Sequence, residues 1–153
     1  MQLFRLCSRL YQAMAFSELG ASLAGGRWNN RGELVVYLGG TLALAALECL
    51  VHFSHQTLPA DYVSLAVTVP KGSKMETIDP ALLPADWWEE DPPVTTQALG
   101  SVWLQRSSSL LLKVPSAIIP TEFNYLLNPQ HKDFGKLRNA QPVGFRFDPR
   151  LKA

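Results

Sequence analysis

Leu34-Val35-Val36-Tyr37-Leu38-Gly39-Gly40-Thr41 and the run that follows it, Leu42 to Phe53, decide how this chain folds. Twenty residues here carry a single formal charge, Glu48, and at first sight suggest a membrane span. Two glycines and a threonine interrupt the run, and a carboxylate deep in a lipid-facing helix would be expensive. The local chemistry fits a different reading. Leu34 to Leu38 is β-branched and aromatic, so it forms a strand. Gly39-Gly40 breaks it, and Thr41 can cap a helix running to about Ser54. A buried strand–turn–helix is therefore expected, not a transmembrane segment.

Outward from this unit, short strands are expected at Leu3–Cys7, Asp61–Val69, Leu110–Val114 and Gly144–Asp148. A weak helix is expected over 17–24, and a clearer one over Thr95–Arg106 with Leu99, Val102, Trp103 and Arg106 on one side. Residues 76–93 are acidic and interrupted by proline, which suits a long loop with one helical turn. Strands and helices mix without a βαβ rhythm. The fold class is α+β, a single compact domain over 1–153 with a mixed β core and flanking helices.

Composition narrows the function. The 153 residues are 47% hydrophobic and 18% charged, enough apolar surface to build a core and too little charge for disorder. A net charge of +1 argues against direct nucleic-acid binding by this chain alone. The charge is unevenly spread, at +1, −5 and +5 over residues 1–56, 57–105 and 106–153, so the last third offers a face for an acidic partner. Cys7 and Cys49 show no paired spacing and suit a reducing compartment. No secretory signal is expected, and the cytoplasm is the expected location.

Few residues could carry chemistry. Glu48 has Leu44, Ala45, Val51 and His52 at three and four positions, so its carboxylate loses solvation and needs a donor to stay charged. The loop Gly25–Gly32 holds Arg27, Asn29, Asn30 and Arg31, a set suited to an anionic group, although it matches no standard nucleotide loop. Position alone leaves both open to structural explanations. His52 and His55 form no recognised metal-binding motif and His131 lies far off in sequence, so no metal is expected. Ser116 ends a strand without a nucleophile-elbow signature. Trp87, Trp88 and Trp103 suit core or pocket wall.

Taken together and in order, Gly25-Gly26-Arg27-Trp28-Asn29, Val36-Tyr37, Leu47-Glu48, Val114-Pro115-Ser116 and Asn124-Tyr125-Leu126-Leu127-Asn128-Pro129-Gln130-His131 resemble the RES-domain family. These are toxins of bacterial toxin–antitoxin pairs, and the resemblance runs over essentially the whole chain. It implies a fold similar to ADP-ribosyltransferase toxins and a reaction that breaks the nicotinamide–ribose bond of NAD+, by hydrolysis or phosphorolysis. Transfer of ADP-ribose to a protein is the enzymatic alternative, and a non-catalytic nucleotide- or partner-binding module the other. NAD+ would be the substrate, with no further cofactor and no metal.

By that resemblance, Glu48 stabilises the ribosyl cation or orients the incoming water, and Tyr37 packs against nicotinamide. Arg27 and Arg5 are both candidates for the phosphates. Ser116 is a hydrogen-bonding group, and Asn124 lines the pocket or supports it. Transferases of the wider superfamily often carry a second carboxylate two residues before the catalytic one, where this chain has Ala46. The implied partner is a helix-turn-helix antitoxin covering the active site, with a homodimer of the toxin inside the complex.

Overall fold

The computed structural model describes residues 1–16, 23–53, 58, 60–139 and 141–151. Among them, eight strands form one mixed sheet: β1 (Gln2–Ser8), β2 (Val36–Gly39), β3 (Tyr62–Thr68), β4 (Met75–Thr77), β5 (Leu111–Pro115), β6 (Phe123–Leu127), β7 (Arg138–Asn139) and β8 (Val143–Phe145). Their order is β4-β5-β6-β2-β1-β3-β7, with β8 beside β7 on the outer edge of β3. Of these strands only β4 and β5 run parallel; all other neighbours are antiparallel. Helices α1 (Leu42–Leu50) and α2 (Val94–Arg106) flank the sheet. The fold is α+β, as the mixed pattern of elements requires.

Both faces of the central strands are buried, which is why they read as unbroken apolar runs. Leu111 and Leu127 meet Val36 and Leu38 on one face, whereas Leu112, Val114 and Leu126 meet Trp28 and Trp103 on the other. Residues directly opposite in an antiparallel ladder share a face. The registers Tyr37↔Leu126, Gly39↔Asn124 and Val114↔Asn124 therefore place Tyr37 and Asn124 on the tryptophan face.

The sheet has a seam. β1 pairs with β3 over seven residues, but with β2 only at Phe4↔Gly39. Helix α1 starts immediately beyond this seam and packs on both β1 and β2. Thr41 caps it as expected, its hydroxyl accepting from the Leu44 amide at 3.0 Å.

Several expectations need correcting. Helix α1 ends at Leu50, because the amides of His52 and Phe53 turn back to Cys49 and Leu50 in a tighter i to i−3 pattern. Ser54 and His55 lie outside the described residues, as do 17–22 of the expected 17–24 helix. Helix α2 packs through Thr96, Gly100, Ser101 and Trp103, while Leu99 and Val102 are 40% and 42% exposed and Arg106 is exposed too. Its neighbour is a polar loop, so small and hydrogen-bonding side chains face inward.

The loop expected over 76–93 begins inside a strand, since Met75–Thr77 pairs with β5 before the 3-10 turn at Pro80–Leu82. Trp88, in the same segment, is exposed. The last pairing strand is Val143–Phe145, after which Phe147 turns inward against Phe53, Tyr62 and Phe145. Among the described residues no helix is long and apolar enough to cross a membrane. Both cysteines are free thiols.

Candidate active site

The strand–turn–helix brings Glu48 to the seam. Leu44 and Ala45, one turn earlier on α1, are buried, whereas Val51 and His52, one turn later, are exposed. Glu48 sits at that boundary, half-buried, at the edge of the core and not within it. Its carboxylate is held by two donors arriving from the far half of the chain. Ser116 Oγ donates to Glu48 Oε1 at 2.7 Å, and Asn124 Nδ2 donates to the same oxygen. Oε2 accepts no hydrogen bond among the described residues. One oxygen is thus an anchor and the other is available to a ligand, in a side chain whose rotation is fixed.

The donors are themselves fixed. Ser116 is fully buried, and its Oγ accepts from the amides of Ile118 and Ile119 at 3.1 and 3.0 Å. With its proton donated to Glu48 and both lone pairs engaged by amides, this hydroxyl is a hydrogen-bonding group with no lone pair left for nucleophilic attack. Asn124 is set by its place on β6 opposite Gly39 and Val114. The loop between them is tied back to α1, with Thr41 Oγ1 donating to Glu122 Oε2 at 3.3 Å.

Arg27, Tyr37 and Asn29 form a second group of connected side chains. Tyr37 Oη donates to Asn29 Oδ1 at 2.7 Å and accepts from the Trp28 amide at 3.2 Å. Gly26 closes over this pair, and a Cβ there would stand 2.7 Å from the Tyr37 hydroxyl oxygen, so only glycine fits. Helix α2 holds the loop from outside: Gln97 Nε2 donates to the Gly26 carbonyl at 3.1 Å, and Asn30 Nδ2 to Ser101 Oγ at 2.7 Å. Ser101 Oγ in turn donates to Glu33 Oε2 at 2.7 Å. Arg27 itself donates from Nη1 to the Trp87 carbonyl at 2.5 Å and from Nη2 to the Glu89 carbonyl at 2.6 Å.

Electrostatics separates the two candidate arginines. Burial pushes the Arg27 guanidinium below its ordinary value, and the negative charge of Glu48 opposes that shift. The two groups are close enough to interact, yet they are not among the ion pairs of the described residues. Burial also lowers Arg5, but the groups acting against it are the thiols of Cys7 and Cys49. Arg5 Nη1 donates across the seam to the Tyr37 carbonyl at 3.3 Å, and its buried Nε has no partner among the described residues. Glu48, Ser116, Asn124, Tyr37 and Arg27 thus form one cluster linked by hydrogen bonds and charge, and Arg5 touches it only at the Tyr37 carbonyl.

Tyr37 makes a testable pH statement. Burial, its largest influence, raises the phenol well above its ordinary value of 10. Below pH 10 folded and unfolded chains both keep this proton; above it the unfolded chain releases it first, so stability falls as pH rises. Alkaline unfolding followed by circular dichroism should show this loss, and Tyr37→Phe should reduce it, leaving the part due to Tyr62, Tyr125 and the two thiols, which burial also raises. The variant should also be about 1–3 kcal/mol less stable at pH 7, since Asn29 Oδ1 and the Trp28 amide lose the tyrosine hydroxyl.

Asn29, fully buried, is the residue that sequence reasoning undervalued. It was legible as a donor in a polar loop, but its decisive contact is as an acceptor for a tyrosine eight residues on. Among the described residues no cluster of three metal-ligating side chains occurs.

Comparison with known proteins places the chain in a family. Residues 2–148 match the RES domain. The protein named Toxin Res from Yersinia enterocolitica is 41% identical over 157 residues, spanning 99% of this chain and all of its own. Toxin Res of Photorhabdus laumondii is 41% identical over 152 residues, covering 99% of this chain and 97% of that protein. The Prs ADP-ribosylating toxin of a Sphingobium strain is 36% identical over 146 residues, or 94% and 91% of the two chains. Among solved structures, a chain of the M. tuberculosis MbcT–MbcA toxin–antitoxin complex superposes with a TM-score of 0.74 at 21% identity, covering 99% of this chain and 86% of that one, a likeness of fold. A matched domain over nearly the whole chain and relatives this similar at almost full length make the conclusion plain: the chain belongs to the RES domain family.

Proposed function

We propose that this protein is the toxin of a bacterial toxin–antitoxin pair and that it consumes NAD+ by breaking the nicotinamide–ribose bond. The observation that carries the reading is the half-anchored carboxylate of Glu48. Cleavage develops positive charge on the ribose as the C1′–N bond lengthens, and its electron pair leaves with nicotinamide, which becomes neutral. A preorganised carboxylate stabilises that charge. Glu48 Oε2 is the oxygen available for it, either directly or through a ribose hydroxyl. Because nicotinamide departs neutral, no strong general acid is required.

The other residues take supporting parts. Arg27 spends two of its five N–H groups on carbonyls and keeps three for the pyrophosphate oxygens. Tyr37, protonated at neutral pH, is the aromatic ring proposed to pack against nicotinamide. Ser116 and Asn124 act on Glu48 and set the orientation of its free oxygen. An incoming water or phosphate then adds its oxygen to C1′, and its proton leaves to Glu48 or to solvent. Arg5, held by the Tyr37 carbonyl, is the more remote of the two arginines.

A second reading has a specific support. The Sphingobium relative is named an ADP-ribosylating toxin, so a protein side chain in place of water is the alternative acceptor. The neutral Ala46, two residues before Glu48, favours the small acceptor. An antitoxin covering the site is the proposed partner, with the basic last third as its electrostatic contact. Expression of the chain alone should arrest growth as cellular NAD+ falls, and the antitoxin should restore both. Chromatography of the product separates ADP-ribose from its 1″-phosphate. Arrest with an undiminished NAD+ pool and radiolabel from NAD+ on a cellular protein would instead establish the transferase.

A further inference from the structure

We propose that Trp87 is a positioning residue for Arg27: its burial against Trp28 fixes a turn whose two backbone carbonyls grip the guanidinium and orient its remaining donors for an anionic ligand. The inference rests on the reading of Arg27 as the pyrophosphate-binding group and adds how that group is held. Trp87 lies sixty residues from Arg27, in a segment that otherwise looks like an irregular acidic loop. It is 9% exposed, and its ring centroid lies 6.4 Å from that of Trp28, the neighbour of Arg27. Next to it, Trp88 is 53% exposed. One of two adjacent tryptophans is buried, and that one carries the carbonyl that accepts from Nη1.

The grip has a defined chemistry. Carbonyls at 2.5 and 2.6 Å take one N–H from each terminal nitrogen, leaving a fixed plane with three free donors. A carbonyl carries no net charge, so the arginine keeps its full attraction for an anion, which a carboxylate partner would cancel. Holding an ionic group in its working geometry lowers the ordering cost when the ligand arrives.

Two measurements test this, one independent of turnover. In nitrogen-15 spectra of the folded protein the Arg27 Nη signals should be resolved, because two carbonyls slow rotation of the guanidinium. In Trp87→Ala they should average. Averaged signals in the wild type would overturn the grip, whatever the protein does with NAD+. For the consequence, Trp87→Ala should raise KM for NAD+ by about tenfold or more with a smaller change in kcat, and Trp87→Phe should restore it to within about threefold. Turnover of nicotinamide riboside, which has no phosphate, should be the same in wild type and Trp87→Ala. In an Arg27→Ala background, Trp87→Ala should add nothing.

Equal losses on NAD+ and nicotinamide riboside, or additive losses in the double variant, would reduce Trp87 to a structural residue and overturn the inference. A lower KM in Trp87→Ala would make the turn an obstacle to the ligand and would overturn it too. If Trp87→Ala does not fold, Arg27→Lys carries the test, since an ammonium keeps the charge but not the planar two-carbonyl grip. It should raise KM about tenfold, and an unchanged KM would contradict the proposal.

Discussion

Glu48→Gln should lose about 10²–10³-fold in the rate of nicotinamide release while remaining folded. The amide is the sharpest available change because it preserves the anchor. Its carbonyl oxygen can still accept from both Ser116 Oγ and Asn124 Nδ2, the two groups that now bond Oε1. What changes is the other position, where an NH₂ donor replaces the free carboxylate oxygen. A donor there repels the developing cation instead of stabilising it. Alanine would be a poorer test, because it strands the buried Ser116 hydroxyl and the Asn124 amide and adds a folding penalty of about 1–3 kcal/mol. Thermal unfolding of the Gln variant should stay near wild type, which separates loss of chemistry from loss of fold. Rates within about threefold of wild type would remove Glu48 from the mechanism.

Gly100→Ala should destabilise the protein by about 3 kcal/mol or more and remove activity with it. In an exposed helix the same change would stabilise by about 1 kcal/mol, since alanine is the better helix former. Here packing overrides propensity. A Cβ at position 100 would stand 1.7 Å from the Trp28 carbonyl oxygen, so α2 would have to retreat from the loop. A retreat of roughly 2 Å would be needed to reach ordinary contact. That movement would break the Gln97 and Asn30–Ser101 bonds that hold the Arg27 loop. A domain's whole stability is about 5–15 kcal/mol, so the loss should be plain in chemical denaturation. A variant as stable as wild type would show that α2 does not press on this loop as described.

What the sequence could reveal followed from the range of the interactions. The strand–turn–helix is decided by neighbours: β-branched residues, two glycines and the Thr41 cap all act within a few positions. The place of Glu48 beside Leu44 and Ala45 follows from helical periodicity alone. The need for a donor followed from its apolar neighbours, but the identity of the donors did not, since Ser116 and Asn124 are 68 and 76 residues away. Their familiar motifs suggested contact with a ligand, and the structure puts them on the carboxylate.

Helix α2 misled for the opposite reason. Its apolar Leu99 and Val102 look like a core face, yet the surface it meets is a polar loop, and Gln97, Gly100 and Ser101 fit that loop better. The short strands β4 and β7, of three and two residues, hold no alternation to detect and exist only because a longer strand offers an edge.

One reaction bears on all of these residues at once. Purified protein incubated with NAD+ should release free nicotinamide in step with the loss of NAD+, one for one, with the release nearly abolished in Glu48→Gln. Folded wild-type protein that leaves NAD+ intact, or that releases nicotinamide equally well without the Glu48 carboxylate, would contradict it.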